Sequence, residues 1–486
     1  MLLFMPNLVA ILLNKSKYSV LTIQYSEGSK TAREFAMKKL YRAMLAAAFI
    51  SAAMSMATFA EGWTQENGYW VYYENGSKVT NTWKTSKDGG YYYLASNGNM
   101  ATDSFIEDER YVGSDGRMLS NCWRQINSKW YYFDNSGKLV RNKLRQINGT
   151  YYYFGDDGSM STGWIQDGSN WYYCDTSDGH AYTNTWKNLE PSSDMGVSDD
   201  NNSNAVISDG TYWFYFQSSG KLAAANNSTY KEYLINNQRY AFDEYGRMQT
   251  GWVKLNDTTP TIAGFKYYND SADIGAFGAA HTGWLSITPP EGEELGSDVV
   301  WYYFDTKGTP YYGSDVSTSD NDETLVAKLK RITKNGKTNT FLFNQYGNPV
   351  YGLRKVQRSD GTVTSMYFGT KEQSCLQLGE KSITEADGTV WPYHYESNGY
   401  GTNGVRNGKL YYMGKLQKAI DNTYAYYTVN GITYLVNKSG SIVKNYNTKK
   451  DPNEVDYRSN SAGIKDGGAA SAEDCLAPEF NVTDVG

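Results

Sequence analysis

Gly158-Ser159-Met160-Ser161-Thr162-Gly163-Trp164-Ile165-Gln166-Asp167-Gly168-Ser169-Asn170-Trp171-Tyr172-Tyr173 contains the plan of the whole chain. A turn with Gly leads through an apolar residue to a Trp, and a polar turn separates that Trp from a second one that opens an aromatic run seven positions later. The same step joins Trp63 to Trp70-Val71-Tyr72-Tyr73 and Trp123 to Trp130-Tyr131-Tyr132-Phe133. Reading the first-Trp position down the chain gives Trp63, Trp83, Phe105, Trp123, Leu144, Trp164 and Trp186, at intervals of 20, 22, 18, 21, 20 and 22 residues. A fixed period of this length is the mark of a repeat array.

Each unit holds two short strand-like runs around turn residues, as in Thr150-Tyr151-Tyr152-Tyr153-Phe154, Gly155-Asp156-Asp157-Gly158 and Ser159-Met160-Ser161. Asp-Gly and Asn-Gly between apolar runs are strong hairpin signals. A lone hairpin is marginal in water, so its aromatic face has to be covered by the next one. The predicted fold is all-β: an elongated solenoid of stacked β-hairpin repeats of about 20 residues, forming a monomer or weak dimer. Composition agrees, because 44 Tyr and 13 Trp in a chain of mean hydropathy −0.62 make aromatic rings the main apolar surface, and aromatic residues favour strands.

The array divides by regularity. Residues 1–60 read as an N-terminal extension plus an export signal starting at Met37, with the basic run Met37 to Arg42, an apolar stretch from Ala43 to Met56 and small residues at Ala57 and Ala60. Residues 61–187 are the regular repeats, 188–210 a polar linker or insertion rich in Asp, Ser and Asn, 211–446 divergent repeats, and 447–486 a polar tail expected to be disordered apart from docking of its last segment. The apolar run Leu8 to Leu13 is far shorter than the ~20 residues of a membrane span. Removal of residues 1–60 takes away seven basic and two acidic side chains, leaving 39 basic against 50 acidic and a net charge of −11. Such a chain has no electrostatic attraction for nucleic acid, and a cationic ligand is compatible with it.

The residues resemble the choline-binding, or cell-wall-binding, repeat family, whose unit runs Gly-Trp, a short polar stretch, Trp-Tyr-Tyr, a turn with Gly, and Met before the next Gly-Trp. The best match is the stretch from Gly158 to Tyr173; recognisable units extend over most of Gly62 to Asn445, as fragments in the second half. The resemblance implies binding sites between successive hairpins, walled by the Gly-Trp indole, the aromatic that opens the triplet and an aromatic of the adjacent hairpin. Carried over residue by residue, the first slot is Trp63, Trp83, Trp123, Trp164, Trp186, Trp252 and Trp284. The opening slot is Trp70, Tyr91, Trp130, Tyr151, Trp171 and Trp301, followed two positions later by Tyr72, Tyr93, Tyr132, Tyr153, Tyr173 and Tyr303. Because strand residues i and i+2 share a face, Trp171 and Tyr173 should point together and Tyr172 away. Leu144 lacks a π-face, so sites that use it are expected to be lost or altered.

Electron-rich rings attract a methylated ammonium without stripping it of strong hydrogen bonds, at ~0.5–2 kcal/mol per ring. Three rings then supply about millimolar affinity, and several sites on one wall polymer raise it through effective concentration. The expected partner is a choline-bearing teichoic acid or similar wall polymer bound outside the cell by a secreted, non-catalytic protein. A glycan that stacks on the same rings is the alternative ligand, and a surface fibre or a divergent wall enzyme the alternative class.

No catalytic constellation is legible. His180 and His281 fall in post-turn segments and read as surface substitutions, the pairs Asp156-Asp157 and Asp199-Asp200 read as turn and linker chemistry, and no cofactor or metal motif occurs. Cys122, Cys174, Cys375 and Cys475 share no framework spacing. Cys174 takes the place of Phe133 and Phe154 in neighbouring units and reads as a small packed residue.

Overall fold

A computed structural model of the chain describes residues 62–197, 204–205, 207–225, 229–258, 261–291, 298–314, 324–334, 336–447 and 455–480, together with the strands Val9–Lys15 and Tyr18–Gln24, which pair antiparallel. The export-signal reading of residues 37–60 lies outside the described residues, as do residues 198–203 of the insertion and 448–454 and 481–486 of the tail.

The repeated stretch folds as its pattern dictates. Gly163–Asp167 pairs antiparallel with Asn170–Cys174, placing Trp164 opposite Tyr173 and Gln166 opposite Trp171. Cys122–Ile126 pairs with Lys129–Phe133 in the same register, with Trp123 opposite Tyr132. The connecting pairs Asn127-Ser128 and Asn148-Gly149 have both residues at positive φ, the mirror-image turn that matches strand twist.

A second turn follows each hairpin. In Asp134-Asn135-Ser136-Gly137 the Asp134 carboxylate accepts the amides of Ser136 and Lys138, and the Gly137 amide closes on the Asp134 carbonyl. The apolar residue after this turn then reaches the hairpin before it. Met160 donates its amide to the Trp130 carbonyl at 2.7 Å, Ala181 to Tyr151 at 2.7 Å, Leu222 to Trp171 at 2.8 Å and Met248 to Trp213 at 2.9 Å. The acceptor in each case is the residue that opens the aromatic run, so one backbone hydrogen bond per repeat stacks hairpin on hairpin.

The chain divides into two units. One holds residues 1–143 with 154–160, the other residues 144–153 with 161–486. Among the described residues there is no α-helix, only the 3-10 turns Ser193–Met195 and Thr261–Gly264, and the sheets are mostly two-stranded. The core is correspondingly local. Tyr111, Tyr131, Phe133 and Leu139 make one buried cluster, and Tyr153, Tyr172, Cys174 and Ala181 another. Cys174 is fully buried there, and all four cysteines are free thiols.

Two sequence expectations are corrected. The tail is ordered over residues 455–480. The Tyr426 hydroxyl meets the Arg458 backbone, the Glu473 amide donates to Tyr426, and Gln417 exchanges two hydrogen bonds with Leu476. Phe480 packs against the cluster of Leu353, Ile383, Tyr393 and Tyr395. Buried Lys415, paired with Glu385 at 2.7 Å, takes the Ala477 carbonyl as a further acceptor, so the polar tail satisfies groups that the sheet buries. His281 is not on the surface either. It is 6% exposed, its Nδ1 lies 2.8 Å from Asn269 Oδ1 and its ring lies on Phe304, because the post-turn segment is the stacking segment.

Candidate functional site

Strand alternation aims the Gly-Trp indole, the aromatic opening the triplet and the one two positions later at a common face. The structure makes a repeated object of the first two. Trp123 and Trp130 lie 6.4 Å apart at 84°, Trp164 and Trp171 6.3 Å apart at 84°, and Trp284 and Trp301 6.3 Å apart at 81°. Each pair is a near-perpendicular corner of two indoles. The cross-strand Tyr backs each first Trp, with Tyr132, Tyr173 and Tyr303 at 5.4, 5.2 and 5.2 Å. Tyr172 turns the other way and packs on Tyr153 of the preceding hairpin.

The remaining candidates are placed differently. Trp63 is joined to Tyr72 and to Tyr92, and Trp83 to Tyr93, while Trp70 is half-buried and Tyr91 is 51% exposed. Trp186 meets Tyr215, Tyr240 and Phe242. Trp252 meets Phe265 and Tyr267, as well as Tyr302 and Phe304 of the next hairpin. Tyr151 packs with Leu144 in the cluster around Tyr153 and Tyr172, where the aliphatic residue leaves a packed joint.

The resemblance implied a wall from an aromatic of the adjacent hairpin without naming the ring, and the structure identifies the rings that the next hairpin supplies. The wall is the last ring of its aromatic run and, in two cases, also the ring two positions earlier: Phe154 against Trp123, Phe214 and Phe216 against Trp164, and Phe341 and Phe343 against Trp284. Sequence reasoning missed Trp213, because the insertion widens its distance from Trp186. The signal was present in Trp213-Phe214-Tyr215-Phe216, which repeats Trp130-Tyr131-Tyr132-Phe133.

The rings already hold ammonium groups of the chain itself. Lys187 Nζ lies 4.0 Å from the centre of Tyr182, which stacks on Tyr173, and Lys330 Nζ lies 4.9 Å from Tyr311, which packs on Tyr303. Lys84 Nζ lies 5.2 Å from Tyr72 while paired with Glu74.

Carboxylates serve the turns. Asp157 binds Lys129 at 2.8 Å and the amide and hydroxyl of Ser159, and the Lys129 ammonium chiefly holds its carboxyl down at about 2. Asp175, Asp178 and His180 bring ligand atoms within 4.8 Å of one another. These atoms also belong to turn contacts, Asp175 to Ser177 and Tyr182, and Asp178 to His180 at 2.5 Å. A surface depression lined by Asp108, Glu109, Asp134, Lys138 and Arg141 has no aromatic ring in its wall.

Comparison with known proteins finds repeats of a known kind in the first half of the chain. Models of the choline-binding repeat match residues 77–117 and 143–186, and a model of the putative cell wall binding repeat matches 123–139. Among solved structures the chain is similar to the modular autolysin LytC of Streptococcus pneumoniae (19% identity, 60% of this chain and 54% of that one, TM-score 0.33). It is also similar to choline binding protein F of Streptococcus pneumoniae (18%, 71% and 98%, TM-score 0.31) and to the choline-binding domain of CbpL from Streptococcus pneumoniae (26%, 39% and 97%, TM-score 0.23). The match spans about half the length of the autolysin. No curated protein sequence matches the chain. Choline-binding and putative cell wall binding repeats are thus matched over residues 77–117, 123–139 and 143–186, within the first half of the chain.

Proposed function

We propose that this protein is exported and held at the cell wall by binding choline groups of a wall polymer in the aromatic corners between its hairpins, as an attachment protein rather than a catalyst. The observation that carries the reading is the near-identical Trp–Trp corner at Trp123/Trp130 and Trp284/Trp301, whose second indoles are 41% and 49% exposed. Exposed Trp faces set perpendicular to a half-buried partner suit a trimethylammonium group, which gains from ring electrons and loses no hydrogen bond. Lys187 and Lys330 support the chemistry, since ring faces in these interfaces take an alkylammonium at 4.0 and 4.9 Å.

The test is release of the protein from a tertiary-amine resin by free choline, in salt high enough to suppress anion exchange. Trp301→Ala should weaken choline binding at its corner by up to ~2 kcal/mol, about 30-fold, with little change in stability because that ring is half in solvent. Trp284→Ala, which also removes a ring packed on Phe341 and Phe343, should cost ~3–5 kcal/mol of stability. Tryptophan fluorescence that ignores millimolar choline and responds to an oligosaccharide replaces this reading with the carbohydrate one.

A further inference from the structure

The three Trp–Trp corners share one geometry but not one surrounding. The connection from Leu189 to Thr211 is far longer than the two-residue turns Asn127-Ser128 and Asn148-Gly149 of the regular hairpins, and its described residues Glu190, Met195 and Ala205 meet the preceding repeat. The Trp164 indole Nε1 donates to the carbonyl of Glu190, the first residue of that connection, at 2.8 Å. Met195 and Ala205 from the same connection are buried in a cluster with Tyr182, Tyr212, Phe214 and Phe216, against which Trp164, Trp171 and Val197 also pack. At the far end, Asn204 donates to the Trp252 carbonyl at 3.0 Å and accepts the Thr250 amide at 2.8 Å, so the connection is fastened on both sides. Ser192 and Gly196 cap the 3-10 turn that carries Met195.

The hairpin of Gly283–Ile287 and Val300–Phe304 behaves alike. Its long connection, between Ile287 and Val300, supplies the Thr288 carbonyl to Trp252 Nε1 at 2.8 Å. After Trp284 and Trp301 the next hairpin closes tightly, with Lys334 opposite Lys337, and Trp301 stays 49% exposed. Trp171, in the same position of its corner, is half-buried.

Resting on the proposed choline binding, we infer that residues 190–197 and 204–205 of the insertion form a lid that takes the Trp164/Trp171 corner out of use, so that polymer-borne choline is taken at Trp123/Trp130 and Trp284/Trp301. The lid gives the best-matching repeat a structural role: it joins the hairpins on either side of the insertion, and the ligand sites lie to either side of it in sequence.

The experiment is equilibrium dialysis of the full chain against choline, with circular dichroism confirming that each variant is folded. Trp130→Leu and Trp301→Leu, which keep apolar bulk and remove the indole, should each lower the bound choline by about one site per chain. Trp171→Leu should leave it unchanged. Met195→Asp, which places a carboxylate in the apolar cluster and so frees the lid, should raise it by about one site; if that variant does not fold, faster oxidation of Trp171 by N-bromosuccinimide in Met195→Ala reads lid release instead. Loss of one site in Trp171→Leu overturns the lid, because that corner is then occupied. A wild-type chain that binds no choline overturns the functional reading itself, a result distinct from the first.

Discussion

Stacking depends on glycines of the second turn, and one pair of substitutions separates the two reasons for them. Gly246 and Gly210 both sit at a φ of +80°, but a Cβ on Gly246 would lie 2.6 Å from Leu222 Cδ2 and 3.0 Å from the Ala223 carbonyl, whereas nothing lies within 4 Å of Gly210. Gly210→Ala therefore bears only the cost of the left-handed conformation, ~1–2 kcal/mol. Gly246→Ala adds an overpacking cost of ~1–3 kcal/mol, since Leu222 is 7% exposed and has no room to swing aside. The expected losses are ~1–2 and ~2–5 kcal/mol. Urea unfolding followed by tryptophan fluorescence measures the difference, and hydrogen exchange at the Ala223 and Met248 amides locates it. Trimming the obstacle should rescue part of the loss: Leu222→Ala in the Gly246→Ala background should be milder than the sum of the two single changes. Equal losses at Gly210 and Gly246, together with full additivity of the double change, would refute the account of stacking.

Burial pushes the Cys174 thiol up to about 12, so iodoacetamide at pH 8 should leave Cys174 unmodified in the folded chain and alkylate it after denaturation, as read by mass spectrometry. Alkali should unfold the array. Burial, with help from Asp88 and Asp175, raises the Tyr92 and Tyr182 hydroxyls to about 12. The folded state holds protons that the unfolded state releases near pH 10, so stability is full below pH 10 and falls as pH rises towards 12. Thermal melts at pH 8, 10 and 11 check this, and an unchanged midpoint would contradict it.

Much of the fold was legible because the repeat states the same local rule many times. The Trp164 to Tyr173 stretch fixes its own register through alternation and turn chemistry, and both are properties of adjacent residues. What the pattern could not state is which ring of one hairpin meets which ring of the next. Phe154 and Phe216 close the aromatic runs of their own strands, yet they lie on Trp123 and Trp164 because the post-turn hydrogen bond fixes the offset between hairpins. His281 was misread for the same reason, since a post-turn residue is polar by neighbourhood and buried by stacking.

The insertion and the tail show how low hydropathy misleads in an array whose core is spread along its length. Each hairpin offers its neighbours a narrow strip of rings and a few unpaired backbone groups, so a short polar segment needs few apolar residues to dock. Met195 and Ala205 suffice for the insertion, with carbonyl acceptors at Glu190 and Asn204, and Tyr457 and Phe480 suffice for the tail, with the carbonyls of Leu476 and Ala477. Composition averages over such segments and reports them as solvent-exposed. On the proposed reading the insertion also bears on binding, because a repeat sequence says where an aromatic corner forms, and the irregular segment beside it decides whether that corner stays open.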